Sequence, residues 1–301
     1  MSDTQYPQFL GSELTAGENN PAQALFQVIP CGLEKTVSYG TGAANGPAAI
    51  LAASQQLERL CTSITGHNIE PCSRGIYTHP PVDCTPDMPA IMQNLRQLTA
   101  AIAGTGQIPV TLGGEHSVSF GAVMGVADSL AANLADSGKT LGLVHIDAHA
   151  DFRDAYQGHR YSHASVMNLL AAEGLAMASF GVRALAPEEA RARRAHGVIC
   201  HDARQLVVNN VHAVTLPDDF PEHIYVTFDL DGLDPSVLPA TGTPVPGGLG
   251  YYQALDLVQS TLVGRQCVGI DIVELAPIAG QPASDFTAAQ IAYELMGLAV
   301  G

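Results

Sequence analysis

Basic residues are scarce in this sequence. Its 301 residues include 13 Lys and Arg against 29 Asp and Glu, which gives a formal net charge of −16. This excess of negative charge argues against nucleic acid or an anionic membrane as a partner, and it is compatible with a small cationic ligand. Charged residues make up only 14% of the chain and hydrophobic residues 47%, so there is ample material for a large core.

Long apolar stretches are also missing. No run of 18 apolar residues occurs, so the sequence predicts no transmembrane helix. The first 20 residues contain no basic segment followed by an apolar one, which is not the pattern of a signal peptide. We therefore expect a cytoplasmic protein, and we expect residues 1–20 to be loosely ordered.

No two cysteines have the C-x-x-C spacing that is typical of many metal and redox sites. The six cysteines are Cys31, Cys61, Cys72, Cys84, Cys200 and Cys267. Three of them, at positions 31, 200 and 267, lie in or beside apolar, strand-like runs. We expect reduced, mostly buried thiols that do not bind metal.

Short apolar segments recur along the chain and predict eight strands. They cover residues 26–30, 75–78, 108–112, 141–147, 177–182, 197–201, 223–229 and 267–273. Helical segments lie between most of them, for example 47–60, 89–104 and 187–197. This alternation predicts an α/β fold with a parallel sheet and helices on both of its faces. No linker or repeat divides the chain, so we predict one domain over residues 1–301.

Two histidines and three aspartates occur between residues 145 and 154, HIDAHADFRD. Alternate side chains of an extended segment share a face, so Asp147, His149 and Asp151 are expected on the same side. Carboxylates this close repel each other unless one is protonated or a cation lies between them. The intervening imidazole favours a metal ion, although an Asp-rich helix start with a surface histidine is an alternative. We expect His145 to pack behind the ligands rather than to bind metal itself.

Two further strand ends carry candidate ligands. His116 follows IPVTL in GGEHS, and Asp229 and Asp231 follow IYVTF with a spacing of two. Ligands of open α/β sheets bind at the carboxyl ends of the strands. Two histidines and four aspartates are too many for one small cation, and bridging carboxylates suggest two ions about 3.5–4 Å apart. Oxygen-rich ligation with some imidazole favours manganese.

The motifs GGEHS, DAHAD and D-x-D-G-L-D-P occur in this order and resemble the arginase and agmatinase family of ureohydrolases. The resemblance extends over most of the chain, from VSYGTGAANGPAAILAAS to DIVELAP. It implies a three-layer α/β/α fold with an eight-stranded parallel sheet, two Mn²⁺ ions per chain, and a homotrimer or homohexamer. By motif, one ion would be bound by His116, Asp147, Asp151 and Asp229, and the other by Asp147, His149, Asp229 and Asp231.

The resemblance also implies catalytic and substrate-binding residues. His163, in YSHAS, matches the proton-transfer histidine of the family, and Glu274, in DIVELAP, matches the glutamate that receives the guanidinium. Asp151 would pass a proton to the leaving amine, and Thr243 would contact the substrate. From the residues alone, His163 could equally be exposed on a polar loop. Glu274 closes a buried strand, where a salt bridge to an arginine or a cationic substrate would offset the cost of burial.

The implied activity is hydrolysis of a small cationic guanidino compound to urea and an amine. Arginases bind the α-amino and α-carboxylate groups of their substrate with a Ser-Ser-Gly-Asn element after DAHAD. That element is absent from FRDAYQGHRYSHAS, where Arg153 replaces an asparagine. We therefore expect agmatine as substrate and putrescine as product.

Several alternatives remain open at this point. Arg153 could face a carboxylate, as in 4-guanidinobutyrate, rather than pair with Asp154 or another acidic loop residue, and an arginase is a further possibility. A non-catalytic binding subunit is disfavoured because all six ligands are present together with His163 and Glu274. A single-zinc deacetylase with the same fold would not require His116.

Overall fold

Eight parallel strands form one sheet in the computed structural model, which describes residues 6–63, 68–133 and 141–301. In chain order the strands are β1 (Phe26–Cys31), β2 (Ile76–Thr78), β3 (Ile108–Gly113), β4 (Leu141–Ile146), β5 (Ala176–Phe180), β6 (Ile199–His201), β7 (His223–Asp229) and β8 (Gln266–Val273). Their order across the sheet is β2-β1-β3-β8-β7-β4-β5-β6. All eight predicted strands are present, with ends that differ by one or two residues.

The helices of the described residues connect successive strands, except the last, which follows β8. They are α1 (Gly46–Ala53), α2 (Met88–Ala103), α3 (Val118–Asn133), α4 (Val166–Ala172), α5 (Pro187–Ala195), α6 (Ala203–Val208), α7 (Tyr251–Thr261) and α8 (Ala283–Leu298). The start of α2 is fixed by Asp87, whose side chain accepts a hydrogen bond from the Ala90 N–H. The predicted helix over 47–60 is shorter in the structure, since α1 ends at Ala53 and is followed by one 3₁₀ turn.

The sheet is buried on both faces, which explains why its strands show no polar alternation. In β1, Phe26 and Val28 belong to the apolar cluster that includes residues of α1, α7 and α8. Ile29 and Cys31 belong to a second cluster with residues of α2, α3 and α4. Helices therefore cover the sheet on two sides, and the predicted three-layer α/β/α fold is confirmed.

The segment before β1 contains two buried apolar residues. Phe9 and Leu10 are completely buried. The Phe9 N–H donates to Thr78 Oγ1 at 2.8 Å, and the Leu10 N–H donates to Ser54 Oγ at 3.0 Å. Two buried apolar residues thus hold an otherwise polar segment against the fold, while the loose order expected over residues 1–20 stays a prediction; residues 1–5 lie outside the described residues.

Two further features concern the cysteines and the helices. All six cysteines are free, and those at positions 31, 61, 72 and 267 are buried. Within the described ranges, no helix is long and apolar enough to cross a membrane.

Candidate metal centre and substrate pocket

The candidate ligands meet at the carboxyl edge of four adjacent strands, β3, β8, β7 and β4. Each of these strands ends immediately before a loop that carries functional side chains. In spatial order, the loops supply His116, then Glu274, then Asp229 and Asp231, then Asp147, His149 and Asp151. Residues that are more than 100 positions apart in the sequence are thus brought to one place by the order of the strands.

One group of possible ligand atoms surrounds the imidazole of His116. Its Nδ1 lies 3.1 Å from Asp147 Oδ2, 3.0 Å from Asp151 Oδ2 and 3.3 Å from Asp229 Oδ2. All four residues are buried. The group contains the four residues that the resemblance assigns to the first ion.

A second group lies around His149. Its Nδ1 is 2.9 Å from Asp231 Oδ2 and 3.5 Å from Asp147 Oδ1. Asp147 therefore presents a different carboxylate oxygen to each group, as a bridging ligand would. Asp229 Oδ2 belongs to the first group, whereas its Oδ1 accepts the backbone N–H of Asp231 at 2.8 Å. Its contact with both ions stays a prediction.

His145 packs behind these groups. It is buried, its Nε2 lies 2.8 Å from Asp147 Oδ2, and its Nδ1 lies 3.0 Å from Ser179 Oγ. The imidazole thus contacts the central carboxylate from the side of β5. The ligand atoms of His145, His116 and Asp147 lie close enough together to hold one ion, so the expectation that His145 is not a ligand stays a prediction.

The hydrogen bonds of Thr227 test whether the first group fits a cation. A threonine hydroxyl has one proton, and Thr227 Oγ1 lies 2.6 Å from Asp271 Oδ1, which can accept it. Thr227 Oγ1 then accepts from His116 Nε2 at 3.0 Å. In the neutral imidazole this leaves a lone pair on Nδ1, a buried atom without a hydrogen-bond partner that faces three carboxylates. Four electron-pair donors around one point fit a metal ion, and the outer hydrogen bond would orient the imidazole for it.

Protons would occupy these positions in the metal-free chain. Burial, helped by the charge of Asp147, raises the pKa of Asp151 to about 7. Burial and the nearby Asp231 raise the pKa of Asp229 well above its ordinary value. Burial alone would lower the pKa of His116, but in the protonated imidazole the attraction of the three nearby carboxylates outweighs burial and raises the pKa well above the usual range. The site therefore requires positive charge, supplied either by protons or by metal.

Two site residues have a backbone conformation that is rare outside glycine. Asp151 has a φ of 55° and Glu274 a φ of 66°. The Asp151 carbonyl accepts hydrogen bonds from the N–H groups of Met167 and Asn168, and the Glu274 N–H donates to the Gly114 carbonyl at 2.8 Å. These contacts hold the backbone at two positions where conformational strain coincides with candidate function.

A cavity of about 330 Å³ opens beside the ligand groups, and Glu274 forms part of its wall. Glu274 Oε1 accepts the backbone N–H of His116 at 2.7 Å. Burial raises the pKa of Glu274 to about 8. No lysine or arginine forms a salt bridge with it in the part of the chain that the structure describes, so the arginine partner considered above is not found.

His163 and Thr243 also line this cavity. His163 Nδ1 lies 3.2 Å from Thr36 Oγ1, the ring of Tyr156 contacts the imidazole edge-on, and burial lowers the pKa of His163. The alternative of a fully exposed surface histidine therefore does not apply. Thr243 Oγ1 is 3.5 Å from Asp231 Oδ2, which places it against a candidate metal ligand.

Arg153 lies in the cavity wall as well, but it has acidic neighbours. Its guanidinium is 3.6 Å from Glu188 and 3.9 Å from Glu189, both in α5, and it stacks over the ring of Tyr156 at 5.3 Å. Arg153 thus has acidic partners, as we expected, but they are Glu188 and Glu189 of α5 rather than Asp154. At long distances and 37% exposure of the arginine side chain, these ion pairs are weak.

Sequence reasoning missed two residues that shape the site. Glu115 is completely buried and accepts hydrogen bonds from the loop after β1, although it lies within GGEHS and could have been noticed there. Arg183 had no signal, because its partners are all backbone atoms. Its guanidinium donates to the carbonyls of Gly181, Asp231, Gly232, Leu233 and Val245.

Comparison with known proteins agrees with this geometry. The Arginase family model matches residues 24–297. An N(1)-aminopropylagmatine ureohydrolase of Synechocystis is 33% identical over 96% of this chain and 93% of its own. An agmatinase of Pyrococcus horikoshii is 29% identical over 87% and 88%. The crystal structure of an agmatine ureohydrolase of Thermoplasma volcanium superposes with a TM-score of 0.78, at 27% identity, over 93% of this chain and 91% of that one. The chain therefore belongs to the arginase family and is a ureohydrolase, a hydrolase of guanidino groups.

Proposed function

We propose that this enzyme hydrolyses a cationic alkylguanidine, with agmatine as the preferred substrate and putrescine and urea as products. The observation that carries the proposal is Glu274, a partly buried carboxylate in the cavity wall that has no basic side chain as partner within the described ranges. A guanidinium is planar and presents paired N–H donors, so it would supply both the missing charge and the missing hydrogen bonds.

Glu274, Asp151 and His163 would have different roles in the reaction. Glu274 would hold the guanidinium so that its carbon faces the ligand groups, which lowers the entropic cost of attack. Asp151 would transfer a proton to the leaving amine nitrogen, and His163 would exchange protons with the solvent. Two divalent ions, manganese by the donor set, would supply an activated water and offset the four aspartates.

The preference for a cationic tail is supported by the charges around the cavity. Three aspartates (Asp151, Asp229 and Asp231), Glu274 and Glu189 line it, and Arg153 is the arginine in its wall. Because Arg153 lies beside Glu188 and Glu189, its charge is partly offset. A carboxylate tail would lose hydration here without a dedicated partner, whereas an ammonium would not meet net repulsion.

A second candidate substrate is N(1)-aminopropylagmatine, which the name of the Synechocystis relative specifies for that protein. Tyr39 lines the cavity and is 84% exposed, so the cavity opens to solvent at this residue. A tail longer than that of agmatine could leave the cavity there. Both candidate substrates have a guanidino head and a cationic tail. They would differ only in the part of the tail that reaches the mouth of the cavity.

Urea release from a panel of four compounds tests the proposal. We expect kcat/KM for agmatine or N(1)-aminopropylagmatine to exceed that for arginine and for 4-guanidinobutyrate by more than about tenfold, which corresponds to about 1.4 kcal/mol. A guanidino acid preferred by the same factor would contradict the cationic assignment and would place Arg153 at the substrate carboxylate. Light scattering tests the accompanying proposal of a homotrimer or homohexamer.

A further inference from the structure

We infer that Glu115 and Thr36 are positioning residues that fix His163 in the tautomer with its proton on Nδ1, which leaves Nε2 as the proton-accepting nitrogen. The inference rests on the proposed function only in that His163 exchanges protons during turnover. The tautomer itself is a property of the folded chain.

Glu115 is the fixed end of this arrangement. Its Oε2 accepts the backbone N–H groups of Lys35 at 2.8 Å and Thr36 at 2.7 Å. Its Oε1 lies 2.6 Å from Ser117 Oγ and 3.0 Å from Thr36 Oγ1. The side chain is completely buried. Four donors around one carboxylate satisfy it as an acceptor, so neither oxygen has reason to donate.

Thr36 transmits this constraint because a hydroxyl has one proton and two lone pairs. Its proton is directed to Glu115 Oε1. Its oxygen can then only accept, and two groups of His163 lie within reach: the backbone N–H at 3.2 Å and Nδ1 at 3.2 Å. The backbone group is always a donor. For the second contact to be a hydrogen bond, Nδ1 must carry a proton as well.

The fixed tautomer defines the role of the imidazole. Burial lowers the pKa of His163, which favours the neutral ring at neutral pH. With the proton on Nδ1, Nε2 is the nitrogen that can take a proton first and return it later. The ring is also held in place, since Tyr156 contacts it edge-on with 5.6 Å between centroids. Without the Thr36 hydroxyl, both tautomers and other ring orientations become accessible.

A spectroscopic experiment tests the tautomer without turnover. The holoenzyme is labelled with ¹⁵N-histidine and loaded with a diamagnetic divalent ion, and the His163 nitrogens are assigned by their loss in His163→Asn. We expect a protonated Nδ1 and an unprotonated Nε2 in the wild type and in Thr36→Ser, and a mixture in Thr36→Val. A proton on Nε2 in the wild type, or an unchanged spectrum in Thr36→Val, would overturn the inference.

The variant Glu115→Gln offers a sharper version of this test. The amide oxygen can still accept the two backbone N–H groups, while the amide nitrogen would lie next to Thr36 Oγ1. Thr36 would then accept from the amide and donate to His163 Nδ1, which reverses the tautomer. We expect the His163 proton to move to Nε2. Retention of the proton on Nδ1 in a folded Glu115→Gln protein would contradict the proposed order of donors.

Steady-state kinetics with agmatine separate positioning from general stability. Thr36 does not line the cavity, so Thr36→Val should lower kcat about 10- to 100-fold with little change in KM, and Thr36→Ser should restore it. The matched control is Thr261→Val in α7, which removes a buried hydroxyl that donates to the Val258 carbonyl. It should retain wild-type kcat.

A double-mutant comparison completes the test. In a His163→Ala background, Thr36→Val should cause no further loss of kcat, because the residue through which it acts is gone. Losses that multiply in the double variant, or equal losses in Thr36→Val and Thr36→Ser, would overturn the inference. If no guanidine compound is hydrolysed at all, the proposed function fails, while the ¹⁵N spectra still decide the tautomer.

Discussion

Glu274 accepts a hydrogen bond of 2.7 Å from the backbone N–H of His116. The carboxylate proposed to bind the substrate is therefore held by the main chain of a residue proposed to bind metal. Because the donor is a backbone group, an amide oxygen at position 274 could accept the same bond. Charge at this position can thus be removed while the contact to the metal-site loop is kept.

For this reason Glu274→Gln should retain metal and lose activity. We expect kcat/KM for agmatine to fall roughly 30–150-fold, at least about 2–3 kcal/mol, through loss of a charge-assisted pair with the guanidinium. Elemental analysis should give the wild-type metal content. Glu294→Gln in α8 is the control, because Glu294 is a buried glutamate that does not line the cavity. Unchanged kcat/KM on every guanidine compound would refute the role of Glu274.

The active chain should contain two divalent ions. Asp147 offers Oδ2 to the group around His116 and Oδ1 to the group around His149, so Asp147→Asn should weaken both sites. Asp231→Asn should weaken mainly the site of His149. Metal content per chain, measured after dialysis against a weak chelator, checks both expectations. Full activity with a single bound ion would show that the two groups are not separate sites.

Thr227→Val should lower metal affinity without removing a ligand. The change deletes the hydroxyl that lies between Asp271 and His116 Nε2, and loss of such an outer contact typically costs about 10–100-fold in metal affinity. Competition with a chromogenic chelator measures the effect. Thr99→Val, which removes a buried hydroxyl that donates to the Leu95 carbonyl in α2, should keep wild-type affinity. Equal affinities in the two variants would mean that Thr227 does not orient the imidazole.

Metal removal should make stability depend on pH. The pKa values of Asp151 and Glu274 are raised to about 7 and about 8 in the folded metal-free chain, so that state binds more protons than the unfolded state. The free energy of unfolding should therefore fall as pH rises from about 5 to about 8. The raised pKa of His116 also makes the free energy of unfolding fall as pH rises, at pH values above the ordinary pKa of a histidine. Calorimetry of chelator-treated protein should show a falling Tm, and added metal should restore it most at high pH. A Tm that rises over this range would contradict the assignment.

Arg153→Ala should change kcat/KM for agmatine by less than about threefold, since weak, partly exposed ion pairs contribute little. Glu188→Gln should raise KM for agmatine slightly, because it removes the negative charge beside the guanidinium of Arg153. The urea assay described above measures both. Loss of activity toward a guanidino acid, in a protein that prefers such an acid, would instead identify Arg153 as the carboxylate-binding residue.

Strand pattern and spacing made most of this site predictable. Asp147, His149 and Asp151 are polar residues in phase at the end of an apolar strand, a pattern that favours a shared cation over an Asp-rich helix start. Thr36 and Arg183 could not be found in this way. Thr36 contacts a residue 127 positions away, and the hydrogen-bond acceptors of Arg183 are carbonyl groups, which leave no trace in residue type. Phe9 and Leu10 were missed because two apolar residues do not make a periodic pattern.

The carbonyl contacts of Arg183 have a practical consequence for altering the enzyme. Arg183 donates to the carbonyl of Val245 in the loop that carries Thr243, and to the carbonyl of Asp231, a candidate metal ligand. A carbonyl is present whatever side chain a position carries, so this anchoring does not depend on the sequence of either loop. Side chains near Thr243 can therefore be varied in a library for new guanidino substrates while the path of the chain is retained.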